Sequence, residues 1–65
     1  MPYVNSTAIH RVEWNAGVLW IWFTSDTGKG YEYPGVPESL YRQFLAAPSK
    51  GQFYDLYIRD TYVYR

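Results

Sequence analysis

The sequence contains no cysteine, and His10 is its one histidine. Without thiols the chain has neither disulfides nor thiolate metal ligands, and a single imidazole cannot build a zinc site by itself. We therefore predict that the protein holds no metal and no cofactor. Its stability then has to come from side-chain packing, with oligomerisation as the remaining aid for so small a chain.

Long apolar runs are also missing. No window of about 18 consecutive apolar residues occurs, and the N-terminus lacks the basic segment and apolar run of a secretory leader. We expect a cytoplasmic protein that does not contact a membrane.

Net charge is absent too, because six basic side chains balance six acidic ones. Formal neutrality argues against a strong nonspecific polyanion binder, since attraction to phosphates scales with local positive charge. The charge is unevenly distributed, however. Residues 42–65 carry four basic and two acidic side chains, a net charge of +2, and residues 1–41 carry two basic and four acidic ones, a net charge of −2.

The chain is rich in aromatic residues, which make up 22% of its 65 residues. A single domain of this length buries only about 60% of the surface of its unfolded chain. Each buried ring removes roughly 150 to 250 Å² from water, so the aromatic residues compensate for the short chain. We predict one domain that spans residues 1–65.

Alternating apolar residues in the first half predict three antiparallel strands. Residues 7–14 and 18–24 flank the turn formers at 15–17, which is typical of a hairpin. Residues 25–30 have the composition of a loop, and residues 31–33 resume the alternation before Pro34 and Gly35 end it.

The apolar spacing becomes helical over residues 36–47. Pro37 suits a first helical position, and Pro48 disfavours helical geometry at the residue before it. Ser49 and Gln52 then have the spacing of a capping box, which predicts a second short helix over about 50–58.

These elements predict an α+β fold, a three-stranded antiparallel sheet followed by two short helices packed on one face. A short extended segment at residues 61–65 completes it, because the tail alternates again. The helices are the only cover available for one face of the sheet. The expected core contains Leu19, Ile21, Phe23, Leu40, Phe44, Leu45, Phe53 and Leu56.

Trp20 and Trp22 then lie on the far face of the sheet, since side chains two apart in a strand share a face. Two exposed indoles form a patch that soluble monomers rarely tolerate. Three alternatives could cover the two indoles: the tail or residues 2–4, a second copy of the chain in a two-fold dimer, or stacked nucleic-acid bases. We favour a homodimer, because Glu32 near that face repels phosphate.

The order of the motifs resembles the KTSC domain, which is named after the C-terminal domain of some lysyl-tRNA synthetases. That family also occurs as free-standing small bacterial and mobile-element proteins. The resemblance runs from about residue 7 to the end of the chain. It rests on Gly30-Tyr31-Glu32-Tyr33, Gly35-Val36-Pro37, Phe44-Leu45-Ala46-Ala47, Ser49-Lys50-Gly51, Ile58-Arg59 and Tyr62-Val63-Tyr64-Arg65.

The resemblance implies a central Tyr-x-Tyr element at Tyr31 and Tyr33 and a role in binding RNA or other nucleic acid, with no catalytic residue. We therefore predict a non-enzymatic accessory module that binds RNA or single-stranded DNA weakly and in a salt-dependent way. Basic and aromatic side chains of the second half are the expected contacts, because single-strand binders combine the two types. They are Arg42, Lys50, Arg59, Tyr62, Tyr64 and Arg65.

The alternative is a protein-interaction or structural module of a phage, plasmid or bacterial complex, which uses the aromatic sheet face around Trp20 and Trp22. Catalysis is disfavoured on the residues themselves. His10 and Glu13 are predicted on opposite faces of a strand, and a general base needs a positioned partner.

Overall fold

A computed structural model of the protein describes residues 8–65, so the predicted cover by residues 2–4 lies outside the described residues. The strands form one antiparallel sheet in the order β1-β2-β3, and the helices follow, which confirms the predicted α+β fold. The elements are β1 (Ile9–Asn15), β2 (Val18–Phe23), β3 (Asp26–Pro34), α1 (Glu38–Ala46) and α2 (Lys50–Phe53), with a π-helical turn (Tyr54–Ile58) directly after α2.

A two-residue turn joins β1 to β2. Ala16 and Gly17 have φ angles of 51° and 83°, which is the left-handed pair of a type I′ hairpin turn. Two hydrogen bonds also connect this hairpin to Val36, which lies shortly before α1. The carbonyl of Gly17 accepts a hydrogen bond from the N–H of Val36 at 2.9 Å, and the indole N–H of Trp14 donates to the Val36 carbonyl at 2.8 Å.

Replacing Ala16 by asparagine is expected to raise the free energy of unfolding by roughly 0.5 to 1 kcal/mol. A left-handed conformation costs an alanine about 1 to 2 kcal/mol, and asparagine tolerates it better. Urea denaturation measures the change. The control is Ala46→Asn in α1, which should lower stability because asparagine is a poorer helix former. A loss of stability at position 16 would contradict the turn geometry.

The third strand is longer than the sequence predicts. Residues 25–30 were expected to form a loop, but β3 already begins at Asp26, which pairs with Phe23. The loop prediction was wrong because it treated the glycines as turn formers. Gly30 lies opposite Trp22, and a Cβ atom there would come within 2.7 Å of the indole ring. This glycine permits a close approach within a strand rather than a turn.

The boundary between the helices lies where the sequence predicts it, whereas Pro37, predicted as a first helical residue, is the extended N-cap of α1. Ala47, which precedes Pro48, is extended with φ −66° and ψ 136°, and α1 therefore stops at Ala46. The Ser49 hydroxyl caps α2 by accepting a hydrogen bond from the N–H of Gln52 at 3.3 Å. None of the helices in residues 8–65 is long and apolar enough to span a lipid bilayer.

The core lies between the sheet and the helices. The predicted residues Leu19, Ile21 and Phe44 are fully buried, but Leu56 is 72% exposed, so its core assignment was wrong. Ile58 takes that place. The remaining predicted residues are partly buried against the core, whose fully buried members are Ile9, Val12, Leu19, Ile21, Tyr33, Val36, Phe44 and Ile58.

The π-helical turn explains the exchange of Leu56 for Ile58. The N–H of Arg59 donates to the carbonyl of Tyr54 at 2.8 Å, five residues back instead of four. This wider turn changes which side chains face the sheet after Phe53. A pattern with 3.6 residues per turn therefore cannot place Leu56 correctly.

Candidate functional site

The sheet presents one face to the helices and another, called here the outward face, that carries Trp20 and Trp22. Both indoles are half-buried and do not belong to the core, as the alternation of β2 predicts. Cross-strand pairing places Arg11 and Glu13 of β1 on one side of the two indoles. It places Gly30 and Glu32 of β3 on the other side. The two strands that flank β2 therefore decide what surrounds each indole.

Trp22 is held between a glycine and a guanidinium. Its ring lies close to Gly30, and the guanidinium carbon of Arg11 lies 3.9 Å from the ring centroid. Attraction between a cation and an indole face is worth about 0.5 to 1 kcal/mol where the pair is exposed to water. Arg11 also lies 3.7 Å from the carboxylate of Glu13. The chain itself thus covers Trp22.

Trp20 has a carboxylate on each side. Its cross-strand neighbours are Glu13 in β1 and Glu32 in β3. The indole N–H donates a hydrogen bond to Oε1 of Glu32 at 3.1 Å, and Oε2 of the same carboxylate lies 3.4 Å from Nε of Arg65. Glu32 therefore connects the outward face to the tail, and Trp20 lies between two carboxylates that each have an arginine nearby.

A shallow open cavity of about 260 Å³ lies on the outward face. Pockets for drug-sized ligands have volumes of roughly 300 to 1,000 Å³ and enclose most of the ligand. This cavity is smaller than such pockets and is open to solvent. Its lining combines two indoles with charges of both signs, from Arg11, Glu13, Asn15, Trp20 and Trp22.

Three of the predicted nucleic-acid contacts are arginines that form ion pairs within the chain. Arg42 pairs with Glu38 of α1 at 3.2 Å, and Arg59 pairs with Asp55 at 3.2 Å. Arg65 pairs with Glu32 across the sheet. Each of these three arginines therefore lies beside a carboxylate that offsets its charge.

Lys50 is engaged differently. Its ammonium group donates a hydrogen bond to the carbonyl of Ala47, which lies at the end of α1. The contact stabilises the junction between the two helices, because the last carbonyls of a helix lack partners within it. Lys50 therefore has a structural role there beside the predicted contact with phosphate.

Tyr64, one of the two predicted tyrosines, joins an aromatic cluster at the β3 side of the molecule. Tyr64 packs edge-on against Tyr31 and Tyr33, with ring centroids at 4.9 and 5.9 Å. We call Tyr31, Tyr33, Tyr54 and Tyr64 the tyrosine edge. The N–H of Arg65 donates to the carbonyl of Glu32 at 2.8 Å, so one backbone hydrogen bond joins the tail to β3.

Tyr33 lies at the centre of the tyrosine edge. Its hydroxyl is 2.8 Å from that of Tyr54, and the residue is 2% exposed. Burial, followed by the hydrogen bond with Tyr54, raises the pKa of Tyr33 above its ordinary value. Tyr64 is half-exposed, and the ammonium group of Lys29 lies 4.7 Å from the ring centroid of Tyr31. Tyr62, by contrast, packs against the core.

An apolar groove that sequence reasoning missed lies at the helix junction. Leu56 and Tyr57 border it and are 72% and 51% exposed. The helical pattern assigned Leu56 to the core, so only the π-helical turn reveals this surface. Elsewhere in residues 8–65, no group of three or more histidine and acidic side chains is arranged to hold a metal ion.

A comparison with known protein families matches residues 5–62 to the KTSC domain. The chain belongs to the KTSC domain family. The match includes all three strands and both helices.

A solved structure gives the same result for the fold. This KTSC domain is similar to the KTSC domain protein YPO2434 from Yersinia pestis, with a TM-score of 0.89 and 32% sequence identity. The similarity covers 98% of this chain and 90% of that chain. No curated protein matches the sequence. The descriptions of the two matches name no ligand and no reaction, so the residues themselves carry the functional argument.

Proposed function

We propose that this KTSC domain is a non-enzymatic protein-interaction module that binds its partner through the outward face. The observation that carries the proposal is the open cavity between Trp20, Trp22 and β1. Tryptophan and arginine are enriched at the centres of protein interfaces, where a few such side chains supply most of the binding energy. Trp20, Trp22 and Arg11 provide that combination on one sheet face.

The ion pairs support a protein partner over a nucleic acid. Binding to nucleic acid depends on cations that neutralise phosphates and release counterions. Arg42, Arg59 and Arg65 each lie beside a carboxylate of the same chain, which lowers the positive potential that a phosphate would meet there. The net charge of zero adds no long-range attraction.

Binding of nucleic acid is the second candidate, and the tyrosine edge favours it. Half-exposed Tyr64 lies against Tyr31, with Lys29 over the same ring and Arg65 next in the chain. Exposed rings with nearby cations are what single-strand binders use, at about 1 to 3 kcal/mol per stacked base. Residues Arg42, Lys50, Arg59, Tyr62, Tyr64 and Arg65 remain the predicted contacts for that function.

Site-directed photocrosslinking tests the protein-interaction proposal. A photoreactive phenylalanine analogue replaces Val18, an outward-face residue beside Trp20, or Gln43, an exposed residue of α1, as the control. We expect the probe at position 18, and not that at position 43, to capture a partner in cells. The partner is then identified and purified, and its affinity is measured for the wild type and for Trp20→Thr/Trp22→Thr.

The double variant should bind the purified partner roughly 30-fold more weakly, which is typical of the loss of one interface hot spot. Amide NMR spectra establish that the variant is folded. Equal affinities for wild type and variant would refute the proposal. A separate NMR titration tests nucleic-acid binding. It uses a mixed-sequence single-stranded oligonucleotide at low and at near-physiological salt. Salt-sensitive shifts confined to the predicted basic residues and tyrosines would favour this second candidate.

A second copy of the chain is the simplest protein partner. The predicted homodimer would pair two outward faces about a two-fold axis and bury all four indoles. Sedimentation of the wild type at high concentration measures this. A dimer that Trp20→Thr/Trp22→Thr converts to a monomer supports the homodimer, and a wild-type monomer excludes it.

A further inference from the structure

We infer that Trp20, Glu13 and Glu32 form a docking site for a cationic side chain, arginine or lysine, of a protein partner. The inference rests on the proposed function, because it specifies the chemistry of the partner that the outward face accepts. It concerns one indole of the two. Trp22 already holds Arg11, whereas no cation of residues 8–65 lies over the ring of Trp20.

The arrangement of charges around Trp20 carries the inference. Directly opposed residues on neighbouring antiparallel strands have Cβ atoms about 4.5 to 5.5 Å apart. Trp20 is opposed by Glu13 on one side and Glu32 on the other, so two carboxylates flank one indole. A guanidinium or ammonium group over this ring gains attraction to its π face and to both carboxylates.

The chain itself contains one example of this chemistry. Arg11 lies 3.9 Å above Trp22 and 3.7 Å from Glu13, so a guanidinium, an indole and a carboxylate already combine two residues away on the same face. The cavity adjoins both Trp20 and Glu13 and gives a second cation access to them. A partner's cation would therefore repeat a contact that this sheet geometry accommodates.

The carboxylates retain capacity for another donor. An ionised carboxylate has two oxygens with about four acceptor positions. Glu13 has a loose pair with Arg11 at 3.7 Å, and Glu32 lies 3.4 Å from Arg65. Partly exposed pairs at such distances are weak, so they do not exclude a further cation.

The test is an NMR titration with the end-blocked peptide Gly-Ser-Arg-Ser-Gly. Its matched control carries citrulline in place of arginine, which has nearly the same shape but no charge, with a carbonyl oxygen in place of one terminal NH2 group. We expect the arginine peptide to shift the indole Nε1–H signal of Trp20 in a saturable way and to bind roughly 5- to 30-fold more tightly than the citrulline peptide.

Two protein variants locate the effect. Glu13→Gln should weaken arginine-peptide binding about threefold or more, since it removes one carboxylate beside Trp20. Glu38→Gln is the control, because Glu38 lies on α1 and pairs with Arg42 there. Equal binding of the two peptides, or no effect of Glu13→Gln in a folded protein, overturns the inference. Dependence of the Trp20 signal on protein concentration without peptide also overturns it, because a second copy then occupies the site.

The two proposals can fail separately. A captured protein that requires both tryptophans but binds the same after all its basic residues at the contact are neutralised leaves the protein-interaction function intact and refutes the cationic site. Failure to capture any protein at position 18, together with oligonucleotide binding, refutes the proposed function itself.

Discussion

Replacing Phe44 by alanine is expected to lower the free energy of unfolding by about 3 to 5 kcal/mol. Phe44 is fully buried and stacks on Phe53 with ring centroids 5.4 Å apart, so its removal leaves a cavity between α1 and α2. The loss combines the transfer free energy of the ring with the energy of that cavity. Urea denaturation followed by tryptophan fluorescence measures it.

The control for this prediction is Gln43→Ala, because Gln43 is exposed in the same helix and should change stability by less than about 0.5 kcal/mol. A domain of this length has a total stability of only a few kcal/mol, at about 0.05 to 0.15 kcal/mol per residue. Phe44→Ala therefore removes a large part of the total stability, and Phe44→Leu provides a milder variant that can be measured. A change below about 1 kcal/mol for Phe44→Ala would contradict the packing of α1 on the sheet.

Replacing Ile58 by alanine is expected to cost about 2 to 4 kcal/mol, whereas Leu56→Ala should change stability by less than about 0.5 kcal/mol. The two residues have similar side chains and lie two positions apart, but Ile58 is fully buried and Leu56 is 72% exposed. The difference in stability between the two variants shows which of the two side chains the π-helical turn directs towards the core. The same denaturation experiment applies to both variants.

A regular α-helix over residues 50–58 would instead place Leu56 towards the core, as the sequence pattern predicts. Leu56→Ala would then be the costly substitution. Comparable losses at both positions would mean that the π-helical turn is not maintained in solution. The pair of variants therefore distinguishes the two helical geometries without any need for a complete structure.

Local residue patterns determined the fold class and most of its elements. Alternation placed Leu19 and Ile21 inward and Trp20 and Trp22 outward, because the period of a strand is two regardless of what packs on it. Pro48 and Ser49 set the boundary between the helices through backbone sterics and one side-chain hydrogen bond. These effects act within a few residues, so they can be read from neighbours in the sequence.

Some features of the candidate sites could also have been predicted from spacing alone. Glu38 and Arg42 are four residues apart within the first predicted helix, and Asp55 and Arg59 are four residues apart at the end of the second. Both pairs form ion pairs in the structure. Such i,i+4 pairs are a known helical signal. They explain why the basic second half offers less positive charge than its composition suggests.

Other features depended on tertiary structure, because contacts between distant segments decided them. The loop-like composition at residues 25–30 became strand through pairing with β2, and Gly30 gave space to Trp22. Leu56 is exposed because the hydrogen bond of the π-helical turn spans five residues instead of four. The chemistry of the outward face likewise depends on register, since only strand pairing places Glu13 and Glu32 on either side of Trp20 and brings Arg65 to Glu32.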